Sequence, residues 1–293
     1  MYLKSYIVVT GDVADSITKT KTISRVNRDN YMTAEYYKMT KDYIDNIKDC
    51  GKSAFLYAGG PVNHHSDGRN VKGLAKPGTI AIKSQAGMSL FNIAKSFKNV
   101  EFEYASINGN TCASSMHSIY EAYRLIHEEK YDTVIVYAAD MVEDTQLLLF
   151  RQLEIDLVCG DGLSILEFSK EDAGGLEIED VAWVWSNDPS PMTVTKDGYL
   201  RVLNKLNCKD ISYVKPHGTR TGRNDVAEND AIVEYYGTTP KMLYYKDDVG
   251  HTQGASSAIE LGIFAKSALV GRCVMLASGL GGFYGGCLVN KRN

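Results

Sequence analysis

Asn110-Thr-Cys-Ala-Ser-Ser115 lies between the alternating run Val100-Glu-Phe-Glu-Tyr-Ala105 and an amphipathic stretch from Ala113 to Glu129. The first run has the period of a strand, whereas Met116, Ile119, Tyr120, Tyr123 and Ile126 recur along one helical face. Tyr131-Asp-Thr-Val-Ile-Val-Tyr-Ala-Ala139 then has the composition of a strand buried on both faces. Strand, helix and strand in that order require a right-handed crossover and a mainly parallel sheet, which makes the chain α/β. Cys112 falls at the strand-to-helix junction.

The pattern extends in both directions. On the N-terminal side, Tyr6–Thr10 reads as a first strand, residues 32–49 as a helix and Ser53–Ala58 as a strand. Gly59-Gly60-Pro61 ends that strand, Asn63–Gly73 reads as a polar loop, and residues 80–97 read as a helix. On the C-terminal side, strands are expected at Leu176–Trp185, Ile211–Pro216, Met242–Tyr245, Val274–Ser278 and Gly286–Lys291. Helices are expected at Val226–Tyr236 and Gly254–Val270. Lys170 to Gly175 is loop-like, so the expected halves are residues 1–172 and 173–293.

Composition excludes several classes of function. The 293 residues are 44% hydrophobic and 23% charged, with a net charge of −4, which is ordinary for a globular protein. No Lys/Arg block stands out, so the electrostatic footprint of a nucleic-acid binder is missing. No stretch approaches the roughly 20 apolar residues of a membrane span, and the N-terminus does not read as a signal peptide. The six cysteines form no CxxC pair, which argues against a zinc site or a disulfide framework and for reduced thiols in a cytoplasm.

Three motifs carry the chemistry. A thiol at a helix start meets the positive end of the helix dipole, which is expected to favour thiolate at Cys112. Unpaired N–H groups of the first turn are suited to a developing oxyanion. His217-Gly-Thr-Arg-Thr221 follows a strand, and Gly250-His251-Thr-Gln-Gly-Ala255 precedes a helix. Both fit the rule that open α/β sheets build sites at the carboxyl ends of strands. His64, His65, His117 and His127 have no such setting.

These residues resemble the β-ketoacyl synthases, the condensing enzymes of the thiolase fold. Cys112 stands at the position of that family's nucleophile, and His217-Gly-Thr-Arg-Thr221 is similar to its His-Gly-Thr-x-Thr. Asp225 stands eight residues on from His217, Lys246 five before His251 and Glu260 nine after it, at positions where the family carries Asp, Lys and Glu. Gly279-Leu280-Gly281-Gly282 resembles the closing Gly-Phe-Gly-Gly loop, and Cys159-Gly160-Asp161-Gly162 the Met-Gly-Glu-Gly segment. The likeness covers about two-thirds of the chain, and residues 1–100 match in outline. The chain is shorter than a usual member, Leu280 replaces the gating Phe, Tyr284 stands near a frequent Asn, and Gly222 replaces a frequent Pro.

The resemblance implies a thiolase-like fold of two similar halves, each a mixed five-stranded sheet, layered between helices as α-β-α-β-α. It implies acyl transfer to Cys112, then decarboxylative Claisen condensation with a malonyl-type extender in fatty-acid or polyketide-type biosynthesis. His217 and His251 would donate to the extender's thioester oxygen, and Lys246 with Glu260 would orient His251. The N–H groups of Cys112 and Leu280 would form the oxyanion hole. Thr219, Thr221, Gly281, Gly282 and Tyr284 would contact substrate, and Arg220 and Arg223 its phosphate. No metal or resident cofactor is implied; the acyl group would arrive on a phosphopantetheine arm of an acyl carrier protein or on CoA. A homodimer through Val100–Ser106, or a heterodimer with another ketosynthase-like subunit, is the expected assembly. Acyl transfer to an alcohol or amine without condensation, and a non-catalytic partner subunit, remain alternatives.

Overall fold

The structure is a computed structural model that describes residues 1–10, 12–13, 24–25, 34–48, 51–59, 90–91, 93–140, 150, 152, 157–172, 174–188 and 190–292. Its elements are β1 (Tyr2–Thr10), β2 (Asp12–Val13), β3 (Ser24–Arg25), α1 (Ala34–Asn46), β4 (Ser53–Ala58), β5 (Phe102–Asn108), α2 (Ser114–His127), β6 (Thr133–Asp140), β7 (Gly162–Ser169) and β8 (Leu176–Trp185). There follow α3 (Lys196–Leu206), β9 (Tyr213–Lys215), α4 (Gly222–Tyr236), α5 (Lys246–Val249), α6 (Ser256–Lys266), β10 (Gly271–Gly279) and β11 (Phe283–Lys291).

Nine strands join in the order β5-β4-β6-β7-β1-β8-β11-β10-β9. The order contains one pattern twice. In the first set β1 and β6 run antiparallel to β7, while β4 runs parallel to β6 and β5 parallel to β4. In the second, β8 and β10 run antiparallel to β11, β9 runs parallel to β10, and Met242 makes a parallel bridge to Val214 of β9. That bridge occupies the place β5 has in the first set. The expected Met242–Tyr245 strand is reduced to it because the chain turns at once into α5. The two sets meet edge to edge at the pair Tyr2 and Glu177.

Alternation along the strands explains the layers. Ala54, Leu56, Val134 and Val136 of the first set, with Cys273, Met275, Ala277 and Val289 of the second, face one common core. Met116, Ile119, Ala122 and Ile126 of α2 and Ala258, Ile259, Leu261 and Phe264 of α6 fill it. Fully burying side chains such as Ile259 and Phe264 contributes roughly 1.5–3 kcal/mol each. The opposite residues face outward: Phe55, Tyr57 and Ile135 pack under α1 and residues 90–97, and Val274, Leu276 and Leu288 pack under α3 and α4. The result is helix, sheet, helix, sheet and helix layers, with the N-termini of α2 and α6 side by side in the central layer. This arrangement positions the site.

The sequence did not announce β2, β3, β7, α3 or α5. Strand β7 follows Asp161-Gly162, and α3 begins at Thr195, whose side chain accepts from the Gly198 N–H at 3.3 Å. Gly198 weakens the helical signal, but a Cβ there would come within 2.3 Å of the Tyr284 ring. The expected loop at Asn63–Gly73, most of the 80–97 helix, and His64, His65 and Cys50 lie outside the described residues.

Candidate active site

Cys112 lies in a 3-10 turn, Thr111–Ala113, which links β5 to α2. Thr111 holds a left-handed backbone at φ 51°, an uncommon conformation for a non-glycine residue. The turn is held on several sides. The Thr111 hydroxyl donates to the Leu280 carbonyl at 3.2 Å, and His117 Nδ1 lies 2.8 Å from Asn110 Oδ1. His117 in turn stacks on Trp183 with ring centroids 4.4 Å apart. From the His251 segment, Gln253 Oε1 lies 3.9 Å from Cys112 Sγ. The Gly254 N–H donates to Asp140 Oδ2 at 3.0 Å, which ties that segment to the end of β6.

The helix start does not give Cys112 a resting thiolate. Burial and the Asp140 carboxylate push its thiol up to about 12, while the Lys246 ammonium and the residue's own N–H pull the other way. Cys112 also stands two residues ahead of the first α-helical residue, Ser114, so the α-helical dipole begins beyond it. The thiol form is the resting state, and nucleophilic attack requires a proton acceptor.

The two histidines stand together, and His251 lies two residues before the Gln253 that reaches Cys112. His217 and His251 are buried with ring centroids 5.3 Å apart, nearly perpendicular. Burial and then Lys246 hold both imidazoles well below the usual histidine range, with His251 and Lys215 adding to the effect on His217 and Lys215 to that on His251. Both rings are therefore neutral, each with one N–H donor and one acceptor nitrogen. His251 Nδ1 lies 3.0 Å from Ser256 Oγ, which itself accepts from the Thr252 hydroxyl at 3.2 Å.

Below the rings lies a buried charge cluster. The Lys246 ammonium donates to the His217 carbonyl at 2.7 Å and to Glu260 Oε1 at 2.5 Å. Lys215 donates to the other oxygen of the same carboxylate. Glu228 accepts from the His217 N–H at 2.5 Å and the Gly218 N–H at 2.9 Å. Burial pushes the Glu228 carboxyl up to about 7 despite those two donors. Lys246 and Glu260 thus pair, but the pair holds the His217 backbone; the orientation of His251 comes from Ser256.

Several other expectations change. Tyr284 is buried with its hydroxyl donating to Asp188 Oδ2 at 2.7 Å and accepting from the Thr195 N–H at 2.8 Å, so it forms part of the wall under α3 instead of contacting substrate. Arg220 is engaged by Asp247 (2.7 Å and 2.5 Å) and its guanidinium lies 3.7 Å over the Tyr244 ring. It is therefore held within the chain and not extended toward a phosphate, while Arg223 lies exposed on the first turn of α4. Asp225 accepts from the Arg220 N–H at 3.1 Å, and Thr219 and Thr221 share a 2.8 Å hydroxyl contact at the rim. Gly281 donates to the Pro191 carbonyl at 2.7 Å, and the Gly282 carbonyl accepts from the Ser186 N–H at 2.8 Å. These bonds place Leu280 beside the Cys112 turn. Lys215, Glu228, Asp140, Gln253 and His117 were not expected at the site. A lysine ending an otherwise apolar strand before Pro216 was the one available signal, at Lys215.

The layers, the paired strand sets and the site define a thiolase-like α/β fold, and comparison with known proteins agrees. Residues 189–270 match the family model "Beta-ketoacyl synthase, C-terminal domain". A chain from the complex of a type II PKS acyl-carrier protein with its ketosynthase is 15% identical, covering 100% of this chain and 99% of that one with a TM-score of 0.74. A chain from the complex of a ketosynthase with its chain length factor from Xenorhabdus doucetiae is 15% identical over 99% of this chain and 98% of that one, TM-score 0.70. A β-ketoacyl synthase from Burkholderia phymatum STM815 is 17% identical over 83% of this chain and 76% of that one, TM-score 0.68. No curated protein matches the sequence. The fold is that of the ketosynthases.

Proposed function

We propose that this chain is a condensing enzyme of the β-ketoacyl synthase type that builds a 3-ketoacyl thioester by decarboxylative Claisen condensation. The observation that supports it is the convergence of the Cys112 turn with two neutral, perpendicular imidazoles over a buried Lys246–Glu260 pair. A neutral imidazole takes the Cys112 proton as the sulfur attacks an acyl thioester. The tetrahedral oxyanion is stabilised by the N–H groups of Cys112 and Leu280, and the carrier thiol leaves with the proton. The acyl group is then held as a thioester on Cys112.

A malonyl-type thioester next loses CO2. The electron pair of the broken C–C bond becomes an enolate whose oxygen accepts hydrogen bonds from the N–H groups of the His217 and His251 rings. Each well-placed donor is worth roughly 3 kcal/mol against developing charge. The enolate carbon attacks the acyl-Cys112 carbonyl, the C–S bond breaks, and the sulfur recovers a proton. The products are CO2 and the 3-ketoacyl thioester.

Carrier and assembly follow the same reading. The substrates are thioesters of a phosphopantetheine arm on an acyl carrier protein, or of CoA, with Thr219 and Thr221 at the rim positioned to meet the arm. Strand β5 is the sheet edge, with Tyr104 and Ile107 partly exposed, and supplies the pairing edge for a second ketosynthase-like subunit. The likeness to chains from ketosynthase complexes with a carrier protein or a chain length factor supports both partners. Among the described residues no helix is long and apolar enough to cross a membrane, and the five described cysteines are free thiols, which suits a reducing cytoplasm.

Retention of Cys112 and both histidines favours a catalytic subunit over a non-catalytic partner. The test is incubation with malonyl and acyl thioesters, with CO2 release and the 3-ketoacyl product as the readout. Adduct formation on Cys112 without CO2 release would instead identify transfer to an alcohol or amine.

A further inference from the structure

Strand β9 ends on a residue that the two half-reactions do not use. Lys215 is 1% exposed, although it carries a long cationic side chain. Its ammonium takes Oε2 of Glu260, whose Oε1 is held by Lys246. One buried carboxylate is therefore shared by two buried ammonium groups. Lys246 also reaches the His217 carbonyl, while Glu228 holds the His217 and Gly218 N–H groups from the other side. Two cations and two carboxylates thus surround the backbone that carries His217.

A lysine is seldom buried without a specific partner, since desolvation of an ammonium is costly. The Lys246–Glu260 pair is already complete in charge, so stability alone does not call for a second cation. The second cation has an electrostatic effect on the rings. Lys246 from α5 and Lys215 from β9 both oppose positive charge on His217 and His251. Glu260 from α6 pairs with both lysines, and the Glu228 carboxyl from α4, raised to about 7 by burial, faces the same backbone. Asp140 from β6 acts on Cys112.

Resting on the functional reading above, we propose that Lys215 is a positioning residue of the two-histidine site. By sharing Glu260 with Lys246 it fixes the ammonium that holds the His217 carbonyl, and its charge opposes a proton on either imidazole. The rings then stay in the form that accepts the thiol proton and donates one N–H to the enolate.

The experiment uses the full chain labelled with 15N-histidine, as wild type, Lys215→Met and Lys215→Arg. Imidazole resonances are followed over pH, alongside the pH profile of CO2 release from a malonyl thioester. Lys215→Met is expected to raise the protonation midpoints of His217 and His251 toward the ordinary value by about one pH unit, tenfold in the equilibrium. The acid limb of CO2 release moves up by the same amount, and Lys215→Arg stays near wild type. A folded Lys215→Met protein whose two rings stay neutral down to the same pH as wild type overturns the proposal. If Lys215→Met does not fold, the ring titration of K215M/E228Q is read against E228Q with the same two outcomes. Absence of CO2 release in wild type would count against the functional reading, while the ring titration still decides the role of Lys215.

Discussion

Gly279 lies directly against Asn110: a Cβ on Gly279 would come within 2.6 Å of the Asn110 carbonyl oxygen, 2.5 Å of Thr111 Oγ1 and 3.1 Å of the Ala113 nitrogen. Two of these three atoms are backbone, so the closing strand pair and the nucleophile turn meet with no space for a side chain. The end of β10 therefore fixes the height of Cys112, more than a hundred residues earlier in the chain.

Gly279→Ala is accordingly expected to displace the Thr111–Ala113 turn and slow acylation of Cys112 at least about tenfold, because small misplacements of reacting groups are costly. Time-resolved intact mass with an acyl thioester measures this. An unchanged rate would show that the turn yields without consequence.

His251→Ala is expected to keep acylation, because His217 remains as a proton acceptor, and to lose roughly 100-fold or more in CO2 release with one enolate donor gone. Comparing adduct formation with CO2 release separates the two steps. Equal losses in both would place His251 in acyl transfer instead.

Tyr284→Phe leaves Asp188 and the Thr195 N–H without their phenol partner beneath α3. A loss of roughly 1–2 kcal/mol in urea unfolding is expected, with acylation of Cys112 at the wild-type rate. Slower acylation at unchanged stability would return Tyr284 to the substrate side of the wall.

Glu228 sets a pH dependence with a definite sign. Its carboxyl is raised from 4.5 to about 7 in the folded chain, so between those values the native state holds a proton that the unfolded chain has lost. Stability linked to this group therefore falls as pH rises through about 5 to 7. The melting temperature of wild type relative to Glu228→Gln should drop across that window. A pH-independent difference would mean that Glu228 is ionised throughout.

The parts of the site legible in the sequence were those confined to short contiguous motifs. Cys112, His217 and His251 stand beside glycines and small residues at element ends, where local pattern and chemistry coincide. Lys246 and Glu260 were implied by the resemblance, which places a Lys and a Glu at those positions around His251, but not the target of their contact, because the His217 carbonyl arrives from another strand. Lys215, Glu228, Gln253 and Asp140 are brought in by β9, α4, the turn before α6 and β6, and none carries a local signature of that role. The resting state of Cys112 differs from the expectation for the same reason, since burial and then the Asp140 carboxylate oppose any dipole effect only after folding. In the fold, buried strands such as Ser53–Ala58 were legible by composition. Helix α3 was obscured by Gly198, whose missing side chain is required by the Tyr284 ring from a distant strand.

The central claim is that Cys112 carries an acyl group into a decarboxylative condensation supported by the two histidines. Intact-protein mass spectrometry of wild type and Cys112→Ala, with a panel of acyl carrier-protein and CoA thioesters followed by a malonyl thioester, tests it most directly. The account predicts a Cys112-dependent adduct that disappears on malonyl addition as CO2 and a 3-ketoacyl thioester form. An adduct of the same size on Cys112→Ala, or a wild-type adduct that persists with malonyl present, would contradict it.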